Sequence, residues 1–155
     1  DEIIRAALGS LPGAGFSVVA TTAAYDPAAF DDADSSRVRV ERFVPHHHVI
    51  SRAEVVVCHG GMGITQRALA AGVPVIVVPH GRDQLEVARR VEHAGAGVRL
   101  MPSSLNARSL STAVRRAREM AEGAKRMARS FAEAGGAAMV ADSIAELVQE
   151  PTPAG

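Results

Sequence analysis

Short apolar runs alternate with stretches of helical period along the first hundred residues of the chain. Phe16–Thr21 (FSVVAT) follows Pro12-Gly13 and is rich in β-branched residues, which predicts a strand. Val38–Val44 (VRVERFV) alternates in part, Glu54–Cys58 (EVVVC) carries a continuous apolar run, and Val73–Val78 (VPVIVV) and Gly97–Leu100 (GVRL) complete the set. Runs that are apolar on both faces suit a parallel sheet covered by helices on each side. Pro74 stands at the start of its run, where a missing N–H is tolerated, and Pro79 closes it.

Helical patterns fill the intervals: Glu2–Leu8, a short one near His47–Ser51, Gly63–Ala71 and Gln84–Ala94. Gly72 and Gly95 follow the last two as C-terminal caps. Beyond Leu100 the pattern is helical only. Leu110, Val114, Ala117, Ala121, Ala124, Ala128 and Phe131 recur at spacings of three and four and form one apolar stripe. Gly135-Gly136 ends it, Val140, Ile144, Leu147 and Val148 mark a final helix, and the tail Pro151–Gly155 is expected to fray. Repeated β-then-α units predict an α/β fold with a Rossmann-like, doubly wound parallel sheet ending in C-terminal helices. In such sheets ligands bind beyond the carboxyl ends of the strands, which singles out the loops Phe43–His48, His59–Thr65 and His80–Gln84.

The length of 155 residues is one domain's worth, and 47% hydrophobic with 22% charged residues is ordinary for a folded domain. Seventeen basic residues balance seventeen acidic ones, so no global field favours nucleic acid or an anionic membrane. No stretch approaches the roughly 20 apolar residues of a membrane span. One cysteine, Cys58, cannot form an internal disulfide, and no signal-peptide pattern opens the chain; both point to the cytoplasm. The opening Asp-Glu-Ile-Ile, with no methionine, reads as a fragment or processed product.

Cys58-His59-Gly60-Gly61-Met62-Gly63-Ile64-Thr65 leaves a buried strand and opens a helix. Glycines there let the backbone approach a ligand closely, and the first-turn amides with the helix dipole favour an anion. A bond from His59 to a phosphate oxygen is worth about 1.5–3 kcal/mol, against roughly 0.3–1 kcal/mol for the dipole. On the glycines alone, a tight strand-to-helix turn explains the loop equally well. Two other phosphate loops fail: Gln66 stands where the dinucleotide fingerprint needs its third glycine, and no Gly-Lys-Ser/Thr triplet exists.

The stretch Phe43 to Leu100 resembles the donor-binding segment of the UDP-glycosyltransferase superfamily (glycosyltransferase family one, GT-B fold), the bacterial natural-product and macrolide enzymes above all. The resemblance rests on five elements in order: Phe43-Val44-Pro45-His46, His59-Gly60-Gly61-Met62-Gly63-Ile64-Thr65, Gly72-Val73-Pro74, Asp83-Gln84 and Gly95-Ala96-Gly97. It implies one half of a GT-B fold, with residues 1–150 as the nucleotide-sugar donor domain, a first strand ahead of Asp1, and a flexible tail at 151–155. By the same resemblance Phe43 stacks on the base and Val44 offers backbone groups to its edge. His59 contacts the diphosphate; Gly61, Met62, Gly63 and Thr65 present amides or a hydroxyl to the phosphates; Asp83 and Gln84 hydrogen-bond the sugar hydroxyls. The implied donor is a UDP- or dTDP-sugar, taken as substrate with no cofactor and no metal. The acceptor-activating base, and the pocket for a small-molecule acceptor, are expected in an N-terminal domain, so no catalytic residue is assigned here.

Two positions depart from the family pattern. Ile64 replaces a hydroxyl residue, and Arg67 stands where some relatives carry a glutamate for the ribose. Ile64 keeps open an alternative, a non-catalytic nucleotide-sugar-binding homologue or auxiliary partner; a doubly wound enzyme using a nicotinamide cofactor is a further rival, against which the absent third glycine counts. His46, His47 and His48 are not read as a metal site, because consecutive side chains diverge and nothing completes a ligand set. His46 alone is placed beside the donor cleft. His80 is read either as lining the sugar pocket or as loop filler, Arg82 either as reaching the ligand or as solvated, and His93 as a structural residue late in its helix. Cys58 is read as a small buried side chain, Arg115, Arg116 and Arg118 as a solvated face, and Met120 and Met127 as core or boundary residues.

Overall fold

The structure, a computed structural model, describes residues 1–30 and 36–149; the tail expectation at 151–155 lies outside them. Five short strands are all parallel to their neighbours: β1 (Val18–Thr21), β2 (Val38–Glu41), β3 (Val56–Cys58), β4 (Val75–Val77) and β5 (Gly97–Arg99). They form two ladders, β1-β2 and β3-β4-β5, so the expected open sheet is divided between β1 and β3. Helices α1 (Glu2–Leu8), α2 (His46–Ile50), α3 (Met62–Ala70) and α4 (Gln84–His93) fill the intervals, followed by α5 (Ala107–Glu119), α6 (Ala121–Glu133) and α7 (Gly136–Gln149).

β4 shows why the fold is doubly wound. Val75 and Val77 enter one apolar cluster with Leu69, Val87, Val91 and Ala124, supplied by α3, α4 and α6. Ile76 and Val78 enter the other with Leu110, Val114 and Ala117 of α5 and Ala7 of α1. All four β4-region side chains are fully buried, and burying each is worth roughly 1.5–3 kcal/mol. A strand clad on both faces has no polar side to display, which is why its sequence reads as a continuous apolar run.

The single stripe expected over Leu110–Phe131 is two helices that meet at Met120. The cause is tertiary: α5 serves the cluster on one sheet face, whereas Ala124, Met127 and Phe131 of α6 serve the other. Met120 and Met127 are partly buried boundary residues, as expected. Gly123 lets α6 come down directly on the backbone, since a Cβ there would collide with the Gly95 carbonyl oxygen. Gly72 and Gly95 take the left-handed conformation, φ +73° and +62°, that their capping role requires. Arg118 is not merely solvated: its Nε lies 2.7 Å from Glu54 Oε2, with its guanidinium 5.6 Å from the Phe16 ring centre. The stripe of α7 is exposed at Val140, Ile144 and Leu147. Among the described residues no helix is long and apolar enough to cross a membrane.

Candidate donor-binding site

The carboxyl end of β3 turns into α3 through the glycine loop. Gly60 has φ +92°, and a Cβ there would come within 2.6 Å of Val77 Cγ1 and 3.4 Å of Gln84 Cβ. Any side chain larger than hydrogen would therefore push β3 away from β4 and from the start of α4. This contact brings the glycine loop and the Asp83–Gln84 loop together. Gly61 follows in extended conformation (φ −60°, ψ 135°) as the residue preceding α3, and the His59 imidazole lies over it, Nε2 being 2.7 Å from the place a Cβ would take. His59 is exposed.

The first turn of α3 is open. No side chain caps it, and a helix leaves its first N–H groups without intrahelical partners. Met62, Gly63 and Ile64 therefore present amide donors beyond the strand end, with Met62 48% exposed. A methyl group on Gly63 would meet nothing within 4 Å, so packing does not call for glycine there. The start of α5 is the opposite case: Asn106 and Ser109 form a reciprocal capping box, with Ser109 N–H donating to Asn106 Oδ1 at 3.0 Å and Asn106 N–H to Ser109 Oγ at 2.9 Å.

Thr65 faces inward. It is 3% exposed, its hydroxyl donates to the Gly61 carbonyl at 2.9 Å, and the Cys58 thiol lies 3.8 Å away. The side chain thus braces the loop from within. Cys58 is buried, and burial pushes its thiol up, against smaller opposing effects of the Gly60 backbone and Thr65 hydroxyl. Ile64 packs on the cluster containing Ile50 and Leu69, while Arg67 is exposed in the last turn of α3.

At the neighbouring loop, Gln84 Oε1 accepts the His80 backbone N–H at 2.8 Å. That bond uses the amide's acceptor and leaves its NH₂ donors free. Asp83 precedes α4 without capping it and is exposed. His80, expected either to line the pocket or to fill the loop, contributes its backbone N–H to the loop's geometry, a use that its residue type does not signal. Arg82 is exposed, with a left-handed φ of +54°. On the third loop Phe43 is 75% exposed and Val44 half-buried, and the α2 helix that follows packs on α3. His46 is half-buried, whereas His47 and His48 are exposed with rings 4.0 Å apart. Among the described residues no group of His, Cys, Asp and Glu could hold a metal ion.

A groove of about 230 Å³ lined by Glu54, Pro74 and Arg118 lies at the amino ends of β3 and β4, the wrong end for a doubly wound sheet's ligand. The glycine loop is an open face by comparison.

Known proteins similar to the chain show its family. The family model of the C-terminal domain of erythromycin biosynthesis protein CIII-like proteins matches residues 16–151. The chain belongs to the EryCIII-like C-terminal domain family. This EryCIII-like domain is 38% identical over 115 residues to the 4′-demethylrebeccamycin synthase of Lentzea aerocolonigenes, covering 74% of the chain and 27% of that protein. It is 36% identical over 130 residues to the NDP-glycosyltransferase YjiC of Bacillus licheniformis, covering 82% of the chain and 33% of the relative. The crystal structure of the calicheamicin glycosyltransferase CalG4 superposes with a TM-score of 0.89 at 30% identity, covering 98% of the chain and 39% of that one. The EryCIII-like domain thus shares the fold of the matching part of the calicheamicin glycosyltransferase and spans about a third of the length of the curated relatives it matches.

Proposed function

We propose that this chain is the nucleotide-sugar donor half of a glycosyltransferase that passes a sugar to a hydroxyl of a small, natural-product-like acceptor. The observation that carries the reading is the uncapped first turn of α3, with nothing packed against Gly63 and the exposed His59 ring lying beside the preceding Gly61. The pyrophosphate of a UDP- or dTDP-sugar sits there. His59 and the amides of Gly61, Met62 and Gly63 hold its oxygens, and Thr65 keeps the loop in shape. Phe43 stacks on the base and Val44 meets its edge. Asp83 accepts from the sugar hydroxyls, and Gln84 donates to them.

The chemistry follows from charge. As the glycosidic bond breaks, the departing diphosphate gains negative charge, so donors already aimed at it favour the transition state over the bound substrate. The helix end and His59 take the place that a divalent cation holds in other transferases, so the domain works without a metal. A general base outside this chain deprotonates the acceptor hydroxyl, which attacks the anomeric carbon in line with the leaving group. The single buried thiol suits work in the reducing cytoplasm.

Calorimetry of the chain against UDP, dTDP, GDP and NADH tests the reading. A pyrimidine nucleoside diphosphate binds, and His59→Ala weakens it by about tenfold or more, the worth of one charge-assisted hydrogen bond. His47→Ala, on an exposed helix face, leaves affinity unchanged. Equal losses from the two substitutions would sink the site, and binding of NADH without UDP or dTDP would replace the reading.

A further inference from the structure

β3 has the sequence of an interior strand and the surroundings of an edge strand. Val55, Val56 and Val57 form an apolar run like that of β4, yet all three are only partly buried, whereas Val75, Ile76 and Val77 are fully so. β4 holds one side of β3, and no strand among the described residues holds the other. β1 is in the same state: β2 holds one side, and Val19 is 46% exposed.

Parity assigns the free groups. Val56 N–H donates to the Pro74 carbonyl, and the Cys58 carbonyl accepts from Val78 N–H, so Val56 and Cys58 face β4. Val18 N–H donates to the Arg37 carbonyl and Thr22 N–H to that of Glu41, so Val18, Ala20 and Thr22 face β2. The N–H and C=O groups of Val19, Thr21, Val55 and Val57 therefore point away from their own ladders. Among the described residues no backbone hydrogen bond from a turn or loop reaches them. Unpaired edges of this kind are a template for another strand.

The two free edges belong to one space. Val18, Val55 and Val57 pack against a single apolar cluster supplied by α1 and α5, to which β2 contributes nothing, so β1 is the strand of its ladder that stands nearer β3. Just ahead of the two strands, the Arg118 guanidinium lies over Phe16 while its Nε holds Glu54. β1 and β3 thus start side by side under the same helices.

We propose that the space between β1 and β3 is a slot for one strand, filled by the polypeptide that leads into α1. A strand seated there sets its neighbours about 9.6 Å apart, twice the interstrand spacing. α1 passes into β1 through a loop closed by Phe16 N–H on the Leu11 carbonyl at 3.0 Å. A strand–helix–strand unit sets its two strands parallel, commonly as neighbours, and β2 already occupies one side of β1. The strand ahead of α1 falls on the other side, pairs with both ladders, and turns every second side chain toward Ile3, Ala6 and Val57. Its sequence is therefore β-branched and apolar on that face.

The probe is the synthetic peptide Lys-Val-Thr-Val-Thr-Val-Lys, titrated into the ¹⁵N-labelled chain. The amides of Val19, Thr21, Val55 and Val57 shift most and gain protection from hydrogen exchange. Proline at the central valine abolishes binding by removing a ladder N–H, and glutamate at every valine abolishes it by placing charge against the apolar cluster. These arms leave the protein itself unaltered. Joined ahead of Asp1 by a two-residue linker, the same peptide raises the Tm; joined by that linker behind Gly155, it leaves the Tm as it was. Unmoved amides at these positions, equal binding of the proline or glutamate peptide, or equal stabilisation by the two fusions would overturn the proposal. So would protection of the same amides that rises with protein concentration before any peptide is added, since a second copy would then hold the slot.

Discussion

Gly63→Ala separates the needs of the fold from those of the ligand, because the two respond with opposite signs. Gly63 lies in the first turn of α3 without a left-handed φ, and a methyl group there meets nothing within 4 Å. Alanine at such a position stabilises by about 0.4–1 kcal/mol, chiefly by narrowing the unfolded ensemble. For a chain of this size that raises the Tm by roughly 1–4 °C. If the pyrophosphate sits on this turn as proposed, the same methyl stands in the way of a phosphate oxygen reaching the first-turn amides. Losing one such charged bond costs about 1.5–3 kcal/mol, or roughly 10- to 150-fold in UDP affinity. Differential scanning calorimetry and a UDP titration on the same preparation read both numbers. A variant that binds UDP as tightly as the parent, or that melts lower, would refute the reasoning. Gly60→Ala is the internal contrast: its φ of +92° and its Val77 contact predict a lower Tm as well as weaker binding.

Other consequences are equally concrete. Asn106→Ala removes the capping box of α5 and lowers stability by about 0.5–2 kcal/mol in urea unfolding, leaving UDP affinity as it was. Gly123→Ala drives a methyl into the Gly95 carbonyl and costs about 1–3 kcal/mol, read as a lower Tm. Cys58 resists a disulfide reagent at pH 8 in the native chain and reacts at once in denaturant. Its folded state holds the proton to higher pH than the unfolded chain does. The thiol's contribution is therefore whole below its ordinary value and fades as pH rises through the raised one. A urea midpoint that falls between pH 8 and 10 in the parent but not in Cys58→Ala checks the sign.

Much of this architecture is visible in the residue pattern, and the exceptions have physical causes. The β4 run is legible because both of its faces are apolar, and α1 and α4 because one of theirs is. The break at Met120 is not legible: no glycine or proline marks it, and residues 110–131 keep one period throughout. What changes there is the face of the sheet being covered, a fact about packing rather than local preference. The site follows the same rule. A position set by backbone shape, such as Gly60 with its left-handed φ, announces itself as glycine. The direction of the Thr65 hydroxyl does not, because a threonine in a first helical turn can serve either the loop behind it or a ligand in front.

The contact at Gly60 joins two recognition loops through a single hydrogen atom's width. The clearance between the loop assigned to pyrophosphate and the loop assigned to sugar is set there, by Val77 on one side and Gln84 on the other. Neither loop can be re-spaced without moving the other. If these loops grip the donor as proposed, a change of sugar preference would have to come from exchanging side chains at the rim, with the distance between the two grips held constant.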